Sequence, residues 1–518
     1  MKRLLADLFS RRASNNPLFV ALLAASVTLA ACGGGGGDDN GSNQPVSNVA
    51  PDKPTAASGT PASTPSAASA PAAASAPSPA STPASNGAPS SVNTPSAASA
   101  PAAASAPSAA SSPSASTPAS ETGTSGSGNA GSANSTDTPS TPTVASNTAP
   151  IVIDGTLSNV NQLVNMPYVS VTFCVPGKQG ASQCASVDHM LLDTGSVGVR
   201  VISAALGAAL GAKLPAQTGA SNDPTGTAAI AQCALFASGY TWGSTRRADV
   251  TIGEKTASGI PIQLIGDSGF TWTPSDCSSR GGPGMNDVAH LGANGIVGIG
   301  NLARDYPGAA NAPLAANYYY CPTPWSCTAA SVPLNKQTAN PVAAFATDNN
   351  GTIIRLPAVP PTGLASVTGE LVFGIGTREN NALPATPTLV VVTDDRGGFT
   401  TNYRGRTVSS FVDSGSNGLF FQDSTLPLMT GNTWFAPATT QSLSAIMISK
   451  TGNAQSSVPF SIADASSLFA LGYAAYGNLG GASSSYFIWG LPFFYGRSVY
   501  TALSGVQAAT QKGPYVAF

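Results

Sequence analysis

Residues 150–518 are predicted to form an all-β domain. This part of the chain carries short runs of Val, Ile, Thr and aromatic residues separated by Gly, Pro, Asn and Ser, with few long segments of helical periodicity. It contains 17 Lys and Arg residues and 18 Asp and Glu residues in 369 positions, well below the usual quarter. A nearly neutral chain without a basic cluster argues against nucleic acid as a partner.

The strands can be followed along the first half of this domain. In YVSVTFCV, at 168–175, apolar and polar residues alternate as in a half-buried strand. The small residues of VISAALGAALGAKL, at 201–214, predict a short helix. Residues 240–267 predict a long hairpin that turns near 243–245, and residues 305–340 predict a surface loop.

The second half follows the same plan. Strand-like residues begin near TGELVFGIG at 368–376, and a late apolar strand, YFIWGLPFFYG, lies at 486–496. Between them an apolar run leads into an Asp-Ser-Gly turn, as in the first half. We therefore predict two units of similar design, an N-terminal lobe at 150–360 and a C-terminal lobe at 361–518.

The N-terminus is predicted to be an export signal at 1–31, because basic residues precede an apolar run that ends in small residues. The apolar run is too short to span the ~30 Å of membrane hydrocarbon as a helix. LAAC, at 29–32, resembles a bacterial lipobox, which implies lipidation of Cys32 and attachment to a membrane. The alternative is a cysteine near an ordinary cleavage site. Gly33, rather than Asp, after the cysteine favours the outer membrane of the cell envelope.

Residues 32–149 are predicted to be a disordered tether. They consist mainly of Gly, Ser, Ala, Thr and Pro, so they have too few large apolar side chains to offset the entropy lost on folding. The segment TPSAASAPAAASAPS occurs at 64–78 and again at 94–108. Neither copy has an apolar face that could stack, so the repeat indicates low complexity and not a solenoid.

The six cysteines of the domain predict disulfides, because an even number in an exported domain is typical of a disulfide framework. Metal binding is the alternative, and it is disfavoured because there is no C-x-x-C motif and both histidines are isolated. We predict no metal site and no cofactor. Pairing between neighbours in sequence gives three disulfides: Cys174 with Cys184, Cys321 with Cys327 and, by elimination, Cys233 with Cys277.

Two Asp-Thr/Ser-Gly-Ser motifs carry the candidate chemistry. They lie in HMLLDTGSVGVR at 189–200 and in SSFVDSGSNGLFF at 409–421. Each follows apolar residues, and each is followed further along by an apolar-apolar-Gly segment, GIVGIG at 295–300 and FIWGLP at 487–492. Glycine permits a sharp turn, so each aspartate would project from a rigid base at the end of a buried strand.

The two motifs suggest a carboxylate pair. If the turns meet around a pseudo-twofold axis, Asp193 and Asp413 come within hydrogen-bonding distance and cannot both stay ionised. They would then provide a general acid and a general base around one water. The alternative is that both are structural turns, which occur in any β protein. Serine catalysis is disfavoured because neither histidine lies near a nucleophile motif.

The chain resembles pepsin-like aspartic peptidases in the order and spacing of LLDTGS, YTWGST, NGIVGIG, GELVFGIG, FVDSGS and FIWGLPFFYGRSVYTAL. The resemblance spans about 150–518. It implies a bilobal all-β fold with pseudo-twofold lobes and a substrate cleft between them. The chain also resembles an uncharacterised family of bacterial lipoproteins, a domain of unknown function, which implies no activity.

The resemblance also implies roles for individual residues. Asp193 and Asp413 would be the catalytic dyad, and Gly298 and Gly490 would complete a ψ-shaped loop beneath each aspartate. Ser196 and Ser416 would bind the outer carboxylate oxygens, while the hydroxyls of the motifs could lock the two turns together. The residues predicted to support the active site are Thr194, Gly195, Ser196, Ser414, Gly415 and Ser416.

Two positions depart from the pepsin pattern. Trp242 stands where pepsins have a flap tyrosine that closes over substrate, and Tyr240 lies two residues earlier. Both are predicted to contact substrate, with packing in the core as the alternative. Arg200 stands where pepsins usually have an apolar aromatic residue.

These observations predict a lipid-anchored aspartic endopeptidase of the cell envelope, a monomer that hydrolyses peptides or proteins. The alternatives are a peptide-binding protein that has the same fold but no catalytic activity, and a structural envelope lipoprotein.

Overall fold

The computed structural model describes residues 147–157, 160, 163–280, 282–384 and 389–518. The predicted signal peptide, the lipidation site at Cys32 and almost all of the tether lie outside the described residues. No helix in the part that is described has the length and apolar character needed to cross a membrane.

Strands dominate the described residues, which confirms the predicted all-β class. The strands are β1 (Thr148–Ile153), β2 (Tyr168–Cys174), β3 (Cys184–Asp193), β4 (Val197–Ile202), β5 (Ala229–Phe236), β6 (Gly239–Ile252), β7 (Lys255–Ile265), β8 (Gly295–Ile299), β9 (Tyr318–Thr323), β10 (Ser326–Ala329), β11 (Gly351–Leu356), β12 (Val367–Phe373), β13 (Val390–Val392), β14 (Phe399–Tyr403), β15 (Arg406–Val412), β16 (Leu419–Phe421), β17 (Gln441–Ile448), β18 (Gln455–Ile462), β19 (Gly480–Ala482), β20 (Tyr486–Trp489), β21 (Arg497–Ala502), β22 (Gln507–Ala508), β23 (Gln511–Lys512) and β24 (Tyr515–Ala517).

Helices are short and lie between the strands. The α-helices are α1 (Ser203–Leu206), α2 (Ala208–Gly211), α3 (Ser275–Ser278), α4 (Val288–Leu291) and α5 (Ala465–Ala470). The 3-10 helices span Pro307–Ala310, Leu334–Lys336, Val342–Ala344, Glu379–Asn381 and Leu491–Phe493.

A 15-stranded sheet contains strands from both halves of the chain, in the order β10-β9-β5-β6-β7-β4-β8-β3-β2-β1-β12-β11-β21-β24-β13. The halves join in three antiparallel pairings, β1 with β12, β11 with β12 and β11 with β21, and in the first of these Thr148 lies opposite Val372. A second, seven-stranded sheet has the order β18-β17-β14-β15-β20-β16-β19 and comes entirely from the second half. The first and last described strands therefore belong to one sheet.

The apolar side chains of the strands form the cores beneath the two sheets. In β2, Val169, Val171 and Phe173 are buried while Ser170 is exposed, which is the alternation expected of a half-buried strand. In the second sheet the aromatic rings of Phe421 and Phe487 stack with their centroids 5.0 Å apart. Packing of this kind stabilises the strands that carry the second Asp-Ser-Gly motif.

The predicted hairpin at 240–267 forms, but its turn was placed wrongly. β6 and β7 pair as an antiparallel hairpin that turns at Gly253, where φ is 57°. Gly243 lies within β6, and a Cβ there would collide with the backbone carbonyl of Leu264 on the neighbouring strand. Gly243 therefore allows two strands to approach closely and does not form a turn.

Two other sequence predictions also need correction. The segment at 305–340 is not simply a surface loop, because β9 and β10 extend the large sheet beside β5. Tyr318 and Tyr319 in β9 are buried. The segment at 201–214 begins as the end of β4, and its helical part is divided into α1 and α2 at Gly207, where φ is 88°.

The three predicted disulfides are confirmed. Each joins cysteines that are neighbours in sequence, with separations of 10, 44 and 6 residues: Cys174 with Cys184, Cys233 with Cys277 and Cys321 with Cys327.

Candidate active site

The first motif connects β3 and β4, and β8 lies between these two strands in the large sheet. Asp193 is the last residue of β3, and it pairs in parallel register with Gly298 of β8. The other side of Gly298 pairs in antiparallel register with Gly198 of β4, the strand that follows the motif. A Cβ at Gly298 would lie 2.8 Å from Ser196 Oγ, so only glycine fits between the two strands.

The second motif repeats this arrangement. Val412, immediately before Asp413, pairs in parallel register with Trp489 of β20. β16 then pairs with the other side of β20 in antiparallel register, with Leu419 opposite Trp489. A Cβ at the next residue, Gly490, would collide with the carbonyl of Gly418. Gly298 and Gly490 therefore occupy corresponding places beside the two motifs.

Reciprocal hydrogen bonds join the two motifs. The Thr194 hydroxyl accepts a bond from the Ser414 backbone N–H (2.9 Å) and donates to the Val412 carbonyl (3.1 Å). The Ser414 hydroxyl accepts a bond from the Thr194 N–H (3.0 Å) and donates to the Leu192 carbonyl (2.7 Å). Each hydroxyl thus satisfies one donor and one acceptor of the opposite turn.

The carboxylate of Asp193 is fixed within its own motif. The Gly195 N–H donates to Oδ1 at 2.8 Å, and the Ser196 hydroxyl donates to Oδ2. The Asp193 side chain is fully buried. Because both oxygens accept hydrogen bonds from rigid neighbours, the plane of the carboxylate is set by the turn.

Asp413 is held in the same way and meets Asp193. The Gly415 N–H donates to Asp413 Oδ1 (2.9 Å) and the Ser416 hydroxyl to Oδ2 (2.7 Å). The Asp193 and Asp413 carboxyls approach each other at Gly415. A Cβ at Gly415 would lie 2.6 Å from Asp193 Oδ1 and 3.2 Å from Asp413 Oδ1, so this glycine leaves space for the contact.

The environment of the pair favours a bound proton. Burial raises the pKa of Asp413 well above its ordinary value, and the charge of Asp193 and the hydrogen bond to it raise this pKa further. The pair therefore holds one proton at pH values where an isolated aspartate would be ionised.

A cavity of about 810 Å³ lies beside the motifs. Residues 194–196 of the first motif and the tip of the β5–β6 hairpin at 235–237 form part of its wall. Phe411, Val412 and residues 483–486 contribute the wall from the second half. Within the described ranges, no cluster of three or more His, Cys, Asp or Glu side chains could hold a metal ion.

The structure does not place Tyr240 and Trp242 in the wall of this cavity. The Trp242 indole is buried edge-on against Tyr319, with ring centroids 5.4 Å apart, and its Nε1 donates to the Phe270 carbonyl at 2.8 Å. A Cβ at Gly284 would lie 3.1 Å from the Tyr240 hydroxyl. Both aromatics thus pack within the chain in this conformation.

A different hairpin, formed by β5 and β6, reaches the cavity, and its tip was not among the residues predicted from the sequence. Leu235, Phe236 and Ala237, at the turn between β5 and β6, line it. The turn continues through Ser238 into Gly239, the first residue of β6. A Ser-Gly dipeptide is a turn signal, so it could have located this hairpin tip.

A family model described as "Protein of unknown function (DUF3443)" matches residues 143–518. The chain belongs to this family. Among solved structures, it is similar to an aspartic proteinase from Irpex lacteus, with 16% identity and a TM-score of 0.36 over 71% of this chain and 96% of that one. No curated protein matches the chain.

The raised pKa of Asp413 predicts how the stability of this DUF3443 chain depends on pH. The folded chain binds the proton of the carboxyl pair more tightly than the unfolded chain, whose aspartates titrate near 3.8. The resulting stabilisation is fully present below that value, and it is lost as the pH rises through the raised folded pKa. Replacing Asp413 by Asn removes this titration.

We therefore expect the difference in unfolding free energy between Asp413→Asn and wild type to shift in favour of the variant from about pH 4 to about pH 8. Urea unfolding at several pH values measures this difference. Any constant offset between the two proteins does not matter, because the prediction concerns only its change with pH. A difference that stays constant over this range would contradict a shared proton.

Proposed function

We propose that the described domain has a pepsin-like aspartic peptidase fold and hydrolyses peptide bonds. The observation that carries this proposal is the approach of two buried carboxyl groups, Asp193 and Asp413, one from each motif, at Gly415, where a Cβ would lie 2.6 Å and 3.2 Å from their Oδ1 atoms. The reciprocal bonds between the motifs and the matching strand arrangements support it, because they hold both carboxyls in one geometry. The cavity, whose wall includes residues 194–196 and Val412 but neither aspartate, would provide room for an extended peptide.

The pair supplies the acid and the base that peptide hydrolysis needs. The ionised carboxylate takes a proton from a water that attacks the peptide carbonyl carbon, and the protonated carboxyl donates its proton to the carbonyl oxygen. In the tetrahedral intermediate, the protonated carboxyl donates its proton to the leaving nitrogen as the C–N bond breaks, while the ionised carboxylate takes a proton from one of the two hydroxyls as the new C=O bond forms. The pair is left again with one proton, so it is regenerated without a cofactor.

The serine and glycine neighbours would preorganise this reaction. Ser196 and Ser416 each donate to one oxygen of the carboxyl in their own motif, and Gly195 and Gly415 donate to the other, so both carboxyl planes would be fixed before a water binds. Since these donors are fixed by the turns, no reorganisation is needed when charge moves between the two carboxyls.

We further propose the cellular setting that the N-terminal sequence predicts. A lipid on Cys32 would anchor the protein in the cell envelope, at the outer membrane, and residues 32–149 would tether a monomeric domain away from the lipid. Protein or peptide substrates would then be taken from the periplasm or the cell surface.

A second candidate function is peptide binding without hydrolysis. It is favoured by the complete burial of both carboxylates, because an attacking water must reach them. In this case the cavity would hold an extended peptide and the carboxyl pair would serve only to join the two halves of the chain.

Digestion of denatured casein by the full-length protein from pH 3 to 8, with and without pepstatin, tests both functions. We expect cleavage that is fastest on the acid side, fades as both carboxyls ionise and is blocked by pepstatin. A thermal shift with pepstatin but no cleavage at any pH would select the peptide-binding function. A folded protein that neither cleaves casein nor binds pepstatin would refute both.

A further inference from the structure

A buried ion pair lies in the wall of the cavity. Arg200 follows the first motif on β4, and its Nη2 lies 3.0 Å from Asp305 Oδ2. The two side chains are only 2% and 3% exposed, and both residues line the cavity. A charged pair withdrawn from water costs free energy unless its remaining donors and acceptors are satisfied, so its place here needs a reason.

The carboxylate of Asp305 has several other donors. The Tyr318 hydroxyl donates to Oδ1 at 2.6 Å, the Tyr306 backbone N–H donates to Oδ1 at 3.0 Å, and the Gln232 side chain donates to Oδ2. Gln232 belongs to β5, the first strand of the hairpin whose tip reaches the cavity. Asp305 therefore connects the stem of this hairpin to the ion pair.

The guanidinium of Arg200 contacts the tip of the same hairpin. It lies 5.8 Å from the centroid of the Phe236 ring, a distance typical of a cation–π contact. Its Nη1 donates to the Val197 carbonyl at 2.8 Å, which fixes the guanidinium to the strand that directly follows the first motif. Arg200 thus links the hairpin tip to the segment that carries Asp193.

We propose that Arg200 and Asp305 are positioning residues that hold the β5–β6 hairpin in a fixed position at the wall of the cavity. This inference rests on the proposed function and adds to it that the hairpin, whose tip lines the cavity, covers the bound peptide. Arg200 fixes the tip through Phe236, and Asp305 fixes the stem through Gln232. Because neither residue reaches the carboxyl pair, their loss should loosen the hold on the peptide and leave the acid–base chemistry intact.

The double variant Arg200→Met/Asp305→Asn tests this role. It removes both charges together, because removal of one partner would leave an unpaired buried charge that endangers folding. The matched control is Lys255→Met/Asp348→Asn. It removes another buried ion pair, with Nζ and Oδ2 2.6 Å apart and exposures of 11% and 3%, and it also replaces the carboxylate that Arg378 contacts at 2.9 Å. None of these three residues lines the cavity.

Two measurements are made on full-length protein. Without substrate, we expect amide hydrogen exchange over residues 229–242 to accelerate about tenfold or more in the Arg200/Asp305 variant, with no such change in the control. With casein-derived peptide, we expect KM to rise about tenfold, kcat to change less, and the pH profile to keep its shape. If the double variant does not fold, Arg200→Lys, which keeps the charge but not the planar fork, is measured in the same way.

Exchange at 229–242 equal to wild type, or raised equally in the control, would overturn the positioning role. A lower kcat with unchanged KM would also overturn it, because it would move the pair from peptide positioning to chemistry. The exchange measurement requires no activity. It therefore decides whether the ion pair holds the hairpin even if the wild-type protein cleaves nothing. Absence of cleavage by wild type would count against the proposed function and not against the positioning role.

Discussion

Asp193→Asn and Asp413→Asn should each reduce peptide cleavage by roughly 10³-fold or more, because each removes one member of a pair that acts as a unit. An Asn in either position cannot take or give the proton that the carboxyl pair exchanges with water and substrate. Both variants should still fold, since the amide has nearly the same shape. Its oxygen can accept the bond from the motif glycine N–H, and its NH2 group can donate to the motif serine hydroxyl. It also ends the contact between two acidic groups.

Initial rates with casein at the pH optimum of wild type measure this effect, and circular dichroism checks the fold. Asp249→Asn is a suitable control, because Asp249 is also buried and accepts backbone bonds from Gly177 and Gly259 but does not line the cavity. The control should retain the wild-type rate. Cleavage that persists in either active-site Asn variant would rule out the carboxyl pair as the catalyst.

Thr194→Val should lower the free energy of unfolding by about 3 kcal/mol, because it leaves two buried backbone groups without partners. The Ser414 N–H loses its acceptor and the Val412 carbonyl loses its donor. Ser414→Ala should have a similar effect through the Thr194 N–H and the Leu192 carbonyl. Valine matches threonine closely in volume, so the expected loss comes from hydrogen bonding and not from a cavity.

Urea unfolding of the single and double variants measures these effects. Thr194→Ser keeps the hydroxyl and should cost much less than Thr194→Val. The two substitutions act on one junction, so their effects should not be additive in the double variant. Near-wild-type stability of Thr194→Val would show that the bonds between the motifs contribute little to holding the two turns together.

Patterns local in sequence were enough to predict much of the fold. The alternation of YVSVTFCV gives β2 its buried and exposed faces, and each disulfide joins neighbouring cysteines. The position of the β6–β7 turn could not be predicted in this way. The sequence does not tell a glycine that forms a turn from a glycine that lets a neighbouring strand approach closely. Gly243 is of the second kind, and this is visible only in the structure, where the Leu264 backbone of the neighbouring strand occupies the space of a Cβ.

The candidate site shows the same limit. The repeated motif predicts that Asp193 and Asp413 lie at strand ends, and the structure brings their carboxyls together. The partner of Arg200 could not be predicted, because Asp305 is 105 residues away and no local pattern marks it. Burial of Tyr318 likewise depends on Asp305, which provides the acceptor for its hydroxyl.

The pairing of β1 with β12 makes the large sheet depend on two segments that are far apart in the chain. Synthesis delivers Thr148 long before Val372, its partner in the large sheet. A chain that reaches only the first motif therefore carries the first aspartate without the second, and the large sheet cannot close until β12 has been made. If the proposed function holds, such a chain would have no carboxyl pair and would cleave no peptide.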